Sequence, residues 1–170
     1  MKIAVRLLAL ALAVAAVVWL WGVLFPSAET LIRKRLAETA RDASFAPGQS
    51  YFSRLAGARR LSDSFATNVE IEIDIPGHQK RQLAGREDIL QAALSARATL
   101  DSLTVTFPDI LLNIEPDKQS ATADVTAVAR LSGDPDLDVQ ELKFLLRKFG
   151  NEWLITRVQT VQILQNTGPR

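Results

Sequence analysis

The sequence predicts an α+β chain: an apolar N-terminal span, followed by one domain in which three helices pack against a mostly antiparallel sheet. Three observations predict it. Residues 7–25 read LLALALAVAAVVWLWGVLF, an uninterrupted apolar run. Apolar residues then recur at helical spacing as far as Phe65, and the period switches to two from Val69. From Leu103 onward the chain reads as four strands separated by turn residues.

The span comes first. At 1.5 Å per residue, Leu7 to Phe25 makes a helix of roughly 28 Å, close to the ~30 Å hydrocarbon thickness of a bilayer. Lys2 and Arg6 precede it, Trp19 and Trp21 stand near its far end where indoles favour the interface, and Pro26 marks the exit. A cleaved signal peptide would carry a shorter apolar region, about 7 to 15 residues, before a small-x-small site. A cut after Ala28 would put Pro26 where a small residue is needed, and the chain has no Cys for a lipoprotein site. Residues 1–26 therefore read as a retained signal-anchor, with the lipid bilayer as partner. Arg33, Lys34, Arg35 and Arg41 after the span balance the charges before it. Orientation rests instead on the short charged leader, which is costly to translocate. That places the domain outside the cytoplasm, periplasmic or extracellular in a bacterium.

The remainder suffices for one domain with a core, read as residues 27–166, with 167–170 a disordered tail. The formal charge of +1 conceals a split: residues 1–60 hold nine Lys/Arg against three Asp/Glu, and residues 61–170 hold eleven against sixteen. The basic part is either a solvated helix surface or a patch leaning on anionic headgroups, at about 1 kcal/mol per cation. An acidic domain body argues against nucleic acid as a partner. With no Cys, a disulfide framework is excluded.

Each element has its own signal. Ala28, Leu31, Ile32, Leu36, Ala40 and Ala43 line one side of a first helix, with Ser27 as N-cap and Pro47-Gly48 beyond its end. A second helix over about Tyr51 to Ser64 sets Tyr51, Leu55, Ala58 and Phe65 along one side, with Gly57 inside it. Val69, Ile71, Ile73 and Ile75 alternate with Glu70, Glu72 and Asp74, a half-buried strand ending at Pro76-Gly77. A short strand near Arg81 to Ala84 returns. Gly85 breaks it, and Glu87 and Asp88 open a third helix to about Leu100, with Ile89, Ala93, Ala96 and Leu100 on its stripe. The four strands follow: Leu103 to Glu115, bent at Pro108; Ser120 to Leu131; Val139 to Phe149; and Glu152 to Leu164. Gly150-Asn151 makes a two-residue hairpin that sets Lys143 opposite Val158 and Phe144 opposite Arg157. Leu145, Leu154 and Val158 then share the second face with Glu141 and Lys143, so both faces are partly apolar, as an oligomer contact would require.

Helix, helix, strand, short strand, helix and four long strands is an order that resembles the nuclear transport factor 2-like, or SnoaL-like, cone superfamily. The local wording agrees: Ala66-Thr67-Asn68-Val69-Glu70-Ile71 before Pro76-Gly77, Gly85-Arg86-Glu87-Asp88-Ile89 opening the third helix, and Glu141-Leu142-Lys143-Phe144 through Trp153-Leu154-Ile155. The resemblance covers about residues 28–164. It implies a cone-shaped domain of three helices on a curved sheet with a pocket between them, commonly a homodimer through the sheet. It names no reaction, because the superfamily includes isomerases, dehydratases and anchored assembly subunits of secretion machines.

The catalytic stock is thin. His78 is the single histidine and falls in a Pro-Gly turn; with no Cys beside it, a metal site is not expected, and no cofactor is implied. The row Glu70, Glu72, Asp74 reads as the wet face of a strand. Asp124, flanked by Ala123 and Val125 that point the other way, is a candidate for the pocket beside Arg157, as a structural ion pair or a proton relay. Tyr51 is the third candidate pocket residue. Two functions stay open: an anchored, non-catalytic binding or assembly module pairing with itself or an envelope protein, and a membrane-tethered small-molecule binder or isomerase/dehydratase-like enzyme using Tyr51, Asp124 and Arg157.

Overall fold

Ser27 holds extended backbone and its Oγ accepts the Thr30 N–H at 3.2 Å, so helix α1 (Ala28–Ala43) starts at Ala28. The same device repeats at Ser50, whose Oγ accepts the Ser53 N–H at 3.3 Å and opens α2 (Tyr51–Asp63). The structure, a computed structural model, describes residues 26–74, 81–132 and 137–161. After α2 come β1 (Phe65–Ile73), β2 (Arg81–Ala84), α3 (Arg86–Thr99), β3 (Leu103–Ile114), β4 (Ser120–Leu131), β5 (Asp138–Phe149) and β6 (Glu152–Thr160). Gly85, at φ 90°, makes the turn into α3. The expected span over residues 7–25 lies outside the described residues, as do His78 and Pro76-Gly77. Among the described residues no helix is long and apolar enough to cross a membrane.

The strands form one sheet in the order β2-β1-β6-β5-β4-β3. Every pairing is antiparallel except β1 with β6, which is parallel. The three helices cover one face: α1 packs on β3 and reaches β6, α2 lies against α3, and α3 rests on β1 and β2. Between them sits the core, where Ile32 and Leu36 of α1 meet Val69, Phe144, Leu146 and Trp153 of the sheet. Phe107 adds an edge-on contact to Phe144 at 5.7 Å between centroids. Three helices on a curved, mostly antiparallel six-stranded sheet is the cone architecture.

Two bulges decide which residues face the core. On β3 the pairing shifts between Thr106 and Asp109, so inward parity passes from Val105 and Phe107 to Ile110, Leu112 and Ile114. Pro108, with no N–H to place in a ladder, occupies that bulge as expected. On β6 the hairpin pairs Phe149 with Glu152 and Leu146 with Ile155, then slips at Thr156, so Leu145 faces Arg157 and Phe144 faces Val158. The uniform register expected from the hairpin is therefore corrected by one residue beyond Ile155. Thr156 is the extra residue, and its hydroxyl donates to the Leu145 carbonyl at 3.1 Å. The slip turns Val158 into the core at 4% exposure and sends Arg157 outward.

Three further corrections concern faces and ends. On α2 the buried residues are Gly57, Ala58 and Ser62, while Tyr51 is 72% exposed. On α3 Ile89 is buried as expected, but the residue enclosed at the far end is Arg97, and Leu100 is exposed. Strand β1 begins at Phe65, four residues before the alternation does, because Phe65 and the small Ala66 are both buried ahead of a register shift.

Candidate functional site

Asp124 does alternate with Ala123 and Val125, but those two are fully buried against the helices, so Asp124 faces outward from the sheet. Its carboxylate lies 3.5 Å from Lys143 Nζ on the neighbouring strand. Arg157, turned out by the Thr156 bulge, pairs with Glu70 directly across the parallel β1–β6 ladder. Tyr51 stands on the opposite, helical side, in edge contact with Phe52 at 5.9 Å between centroids. The three candidate residues are thus on two surfaces and in separate contacts, and the structure does not bring them together.

The inner face of the sheet carries Ala123, Val125, Phe144, Leu146, Ile155 and Trp153, all enclosed by the helices. Trp153 Nε1 is buried there without a hydrogen-bond partner among the described residues. The outer face mixes charge and oil. Besides the two ion pairs, Thr126 donates to Glu141 at 2.8 Å, and Leu145, Leu154, Val139 and Leu111 share the surface, the last 69% exposed. A polar cleft of about 290 Å³ opens where β1, β2 and β6 end, lined by Glu72, Asp74, Arg81, Gln82 and Gln159. Among the described residues no group of three His, Asp or Glu side chains could hold a metal ion.

The most unusual polar group was not singled out by sequence reasoning. Arg97 is 5% exposed. Its guanidinium lies over the Phe45 ring at 5.0 Å from the centroid and donates through Nη2 to the Asp42 carbonyl. Gly57 makes room for it: a Cβ there would stand 3.0 Å from Arg97 Nη1. Asp42, also buried, has Arg60 Nε at 3.4 Å and Arg41 Nε at 3.6 Å. Desolvation, then repulsion from Arg60, push the Arg97 pKa down, and Asp42 opposes them. The signal that could have found this cluster is Gly57 itself, since a helix-interior glycine costs about 1 kcal/mol unless something approaches closely.

No protein-family model matches the chain, and no curated protein matches it. Solved structures do. An NTF2-like protein with a cystatin-like fold from Novosphingobium aromaticivorans superposes with a TM-score of 0.61 at 17% identity, over 91% of this chain and 90% of that one. The chain has the NTF2-like fold. A second NTF2-like protein, of unknown function, from Pseudomonas putida gives a TM-score of 0.62 at 11% identity, covering 82% of this chain and 89% of its own. A protein from N. aromaticivorans provisionally assigned as a scytalone dehydratase gives 0.54 at 13% identity, with 79% and 84% covered. At these identities the NTF2-like likeness concerns the fold, and the residues must speak for function.

Proposed function

We propose that the chain is a single-pass, membrane-anchored binding or assembly module of the NTF2-like kind, joining a second copy or an envelope protein through the outer face of its sheet. The observation that carries this reading is the two-sidedness of the sheet. Its inner face is already occupied by α1 and the core, yet Leu111, Val139, Leu145 and Leu154 also lie on the outer face. A partner seated on this face would cover the apolar side chains and leave ion pairs to a polar rim. The residues that would serve chemistry, Asp124 and Arg157, are on this same surface with charged partners. The apolar run of residues 7–25 supports retention at the bilayer, and the short leader with Lys2 and Arg6 supports a domain on the non-cytoplasmic side.

The test is site-specific photocrosslinking of the full-length chain in native membranes, with the probe at Leu111 or Lys143 and, as control, at Leu100 on the helical side. Discrete adducts from the sheet sites are expected. Absence of such adducts, together with a monomeric mass for the full chain in an uncharged detergent, would overturn the reading.

A further inference from the structure

Around Asp42 the helical layer holds more cation than anion. Arg41 and Arg60 stand at that one buried carboxylate, and Arg97, itself enclosed, donates to the Asp42 main-chain carbonyl. Beside them a cleft of about 90 Å³ lies between the α1–α2 loop, the first turn of α2 and the end of α3; its lining includes Phe45, Gln49, Arg54, Arg97, Leu100 and Asp101. Two buried polar atoms on that lining have no hydrogen-bond partner among the described residues, Arg97 Nε and Gln49 Oε1. An orphaned buried donor on a charged group is costly, so these two atoms call for a polar partner in the cleft. An acceptor carrying negative charge would satisfy the guanidinium, and the Gln49 amide can turn its NH2 toward the same group.

Size and surroundings narrow the class. The cleft is well below the roughly 300–1,000 Å³ of pockets that bury a whole drug-sized ligand, so it suits a head group. Outside the lining, exposed aromatic surface stands nearby on α2. Tyr51 is three residues before Arg54 on α2, hence on the same side of the helix, and Tyr51 and Phe52 are 72% and 79% exposed. We propose that this cleft binds the carboxylate or phosphate head of a small organic anion, with Arg97 and Arg54 holding the head and the Tyr51–Phe52 pair carrying its apolar body. Asp101, the acidic residue on the lining, opposes a highly charged ligand and favours a head of low charge. The site is on the helical layer and stands or falls independently of the sheet-face interface proposed above.

The test is a titration of the full-length chain in an uncharged detergent, with arginine labelled by nitrogen-15 and the Arg97 Nε–H resonance observed. Four probes are added at constant ionic strength: acetate, inorganic phosphate, benzoate and phenyl phosphate. Saturable shifts are expected, with the aromatic probes binding more tightly than the bare heads, and the better of the two head types identifies the ligand's anionic group. Because Arg97 is enclosed and its replacement can unfold the domain, the variants are on the rim. Arg54→Gln and Gln49→Leu should weaken binding roughly tenfold, one charge-assisted hydrogen bond's effect. Tyr51→Ala and Phe52→Ala should remove the aromatic advantage and leave the bare heads unchanged. Unsaturable shifts, equal affinity in Arg54→Gln, or an ordered water bridging Arg97 and Gln49 in a crystal grown with phenyl phosphate would each overturn the proposal.

Discussion

Gly57 and Arg97 depend on each other, because the guanidinium occupies the volume that any side chain on Gly57 would need. In an exposed helix, Gly→Ala is worth about 1 kcal/mol of stabilisation. Here the guanidinium is held by the Asp42 carbonyl and the Phe45 ring and cannot yield. Gly57→Ala is therefore expected to destabilise by about 1 kcal/mol or more through overpacking. In an Arg97→Met background the same change should become stabilising, a reversal readable from thermal unfolding of the four species in a double-mutant cycle. The sequence conceals such an arrangement, since an arginine near the end of an amphipathic helix reads as a solvated residue favouring the dipole. Tyr51 misleads in the opposite sense: its helical spacing from Leu55 and Ala58 suits the core, yet the first turn of α2 projects beyond it.

Among the elements, helix starts were legible because the caps are local. Ser27 caps α1 and Gly85 breaks the chain ahead of α3, and both helices begin where these residues direct; Ser50, which caps α2, carries the same local signal and went unread. Strand parity was legible only between bulges. A bulge is a property of two strands together, so the shift at Thr156 leaves little trace in β6 alone. The bulge makes adjacent residues exchange roles, and substitution can verify it. Val158→Asp buries a charge on the helical side and is expected to cost about 3 kcal/mol or more. Arg157→Ala removes an exposed pair with Glu70 and should change stability by less than about 1 kcal/mol. A regular register would invert that ranking, and midpoints of chemical unfolding decide it.

At the scale of the whole molecule, the parallel contact of β1 with β6 joins the β1–β2 hairpin to the four-strand meander. Ending the chain after Phe149 removes Trp153, Ile155 and Val158 from the core, each worth about 1.5–3 kcal/mol, against a total stability of 5–15 kcal/mol. The shortened chain is expected to lose its cooperative transition and its protection from proteolysis. The order of elements made the NTF2-like fold legible, whereas the parallel register needs two segments about eighty residues apart and has no local signature. That separation also bears on synthesis. Residues of β1 leave the ribosome long before their partner exists, so the β1–β2 hairpin and the helices before it must wait, unpaired along one backbone edge, until β6 has been made. An open edge of this kind invites wrong pairing with other nascent chains. Glu70 and Glu72, spaced along the waiting strand, put like charge on that edge, which disfavours its pairing with another copy until β6 arrives with Arg157.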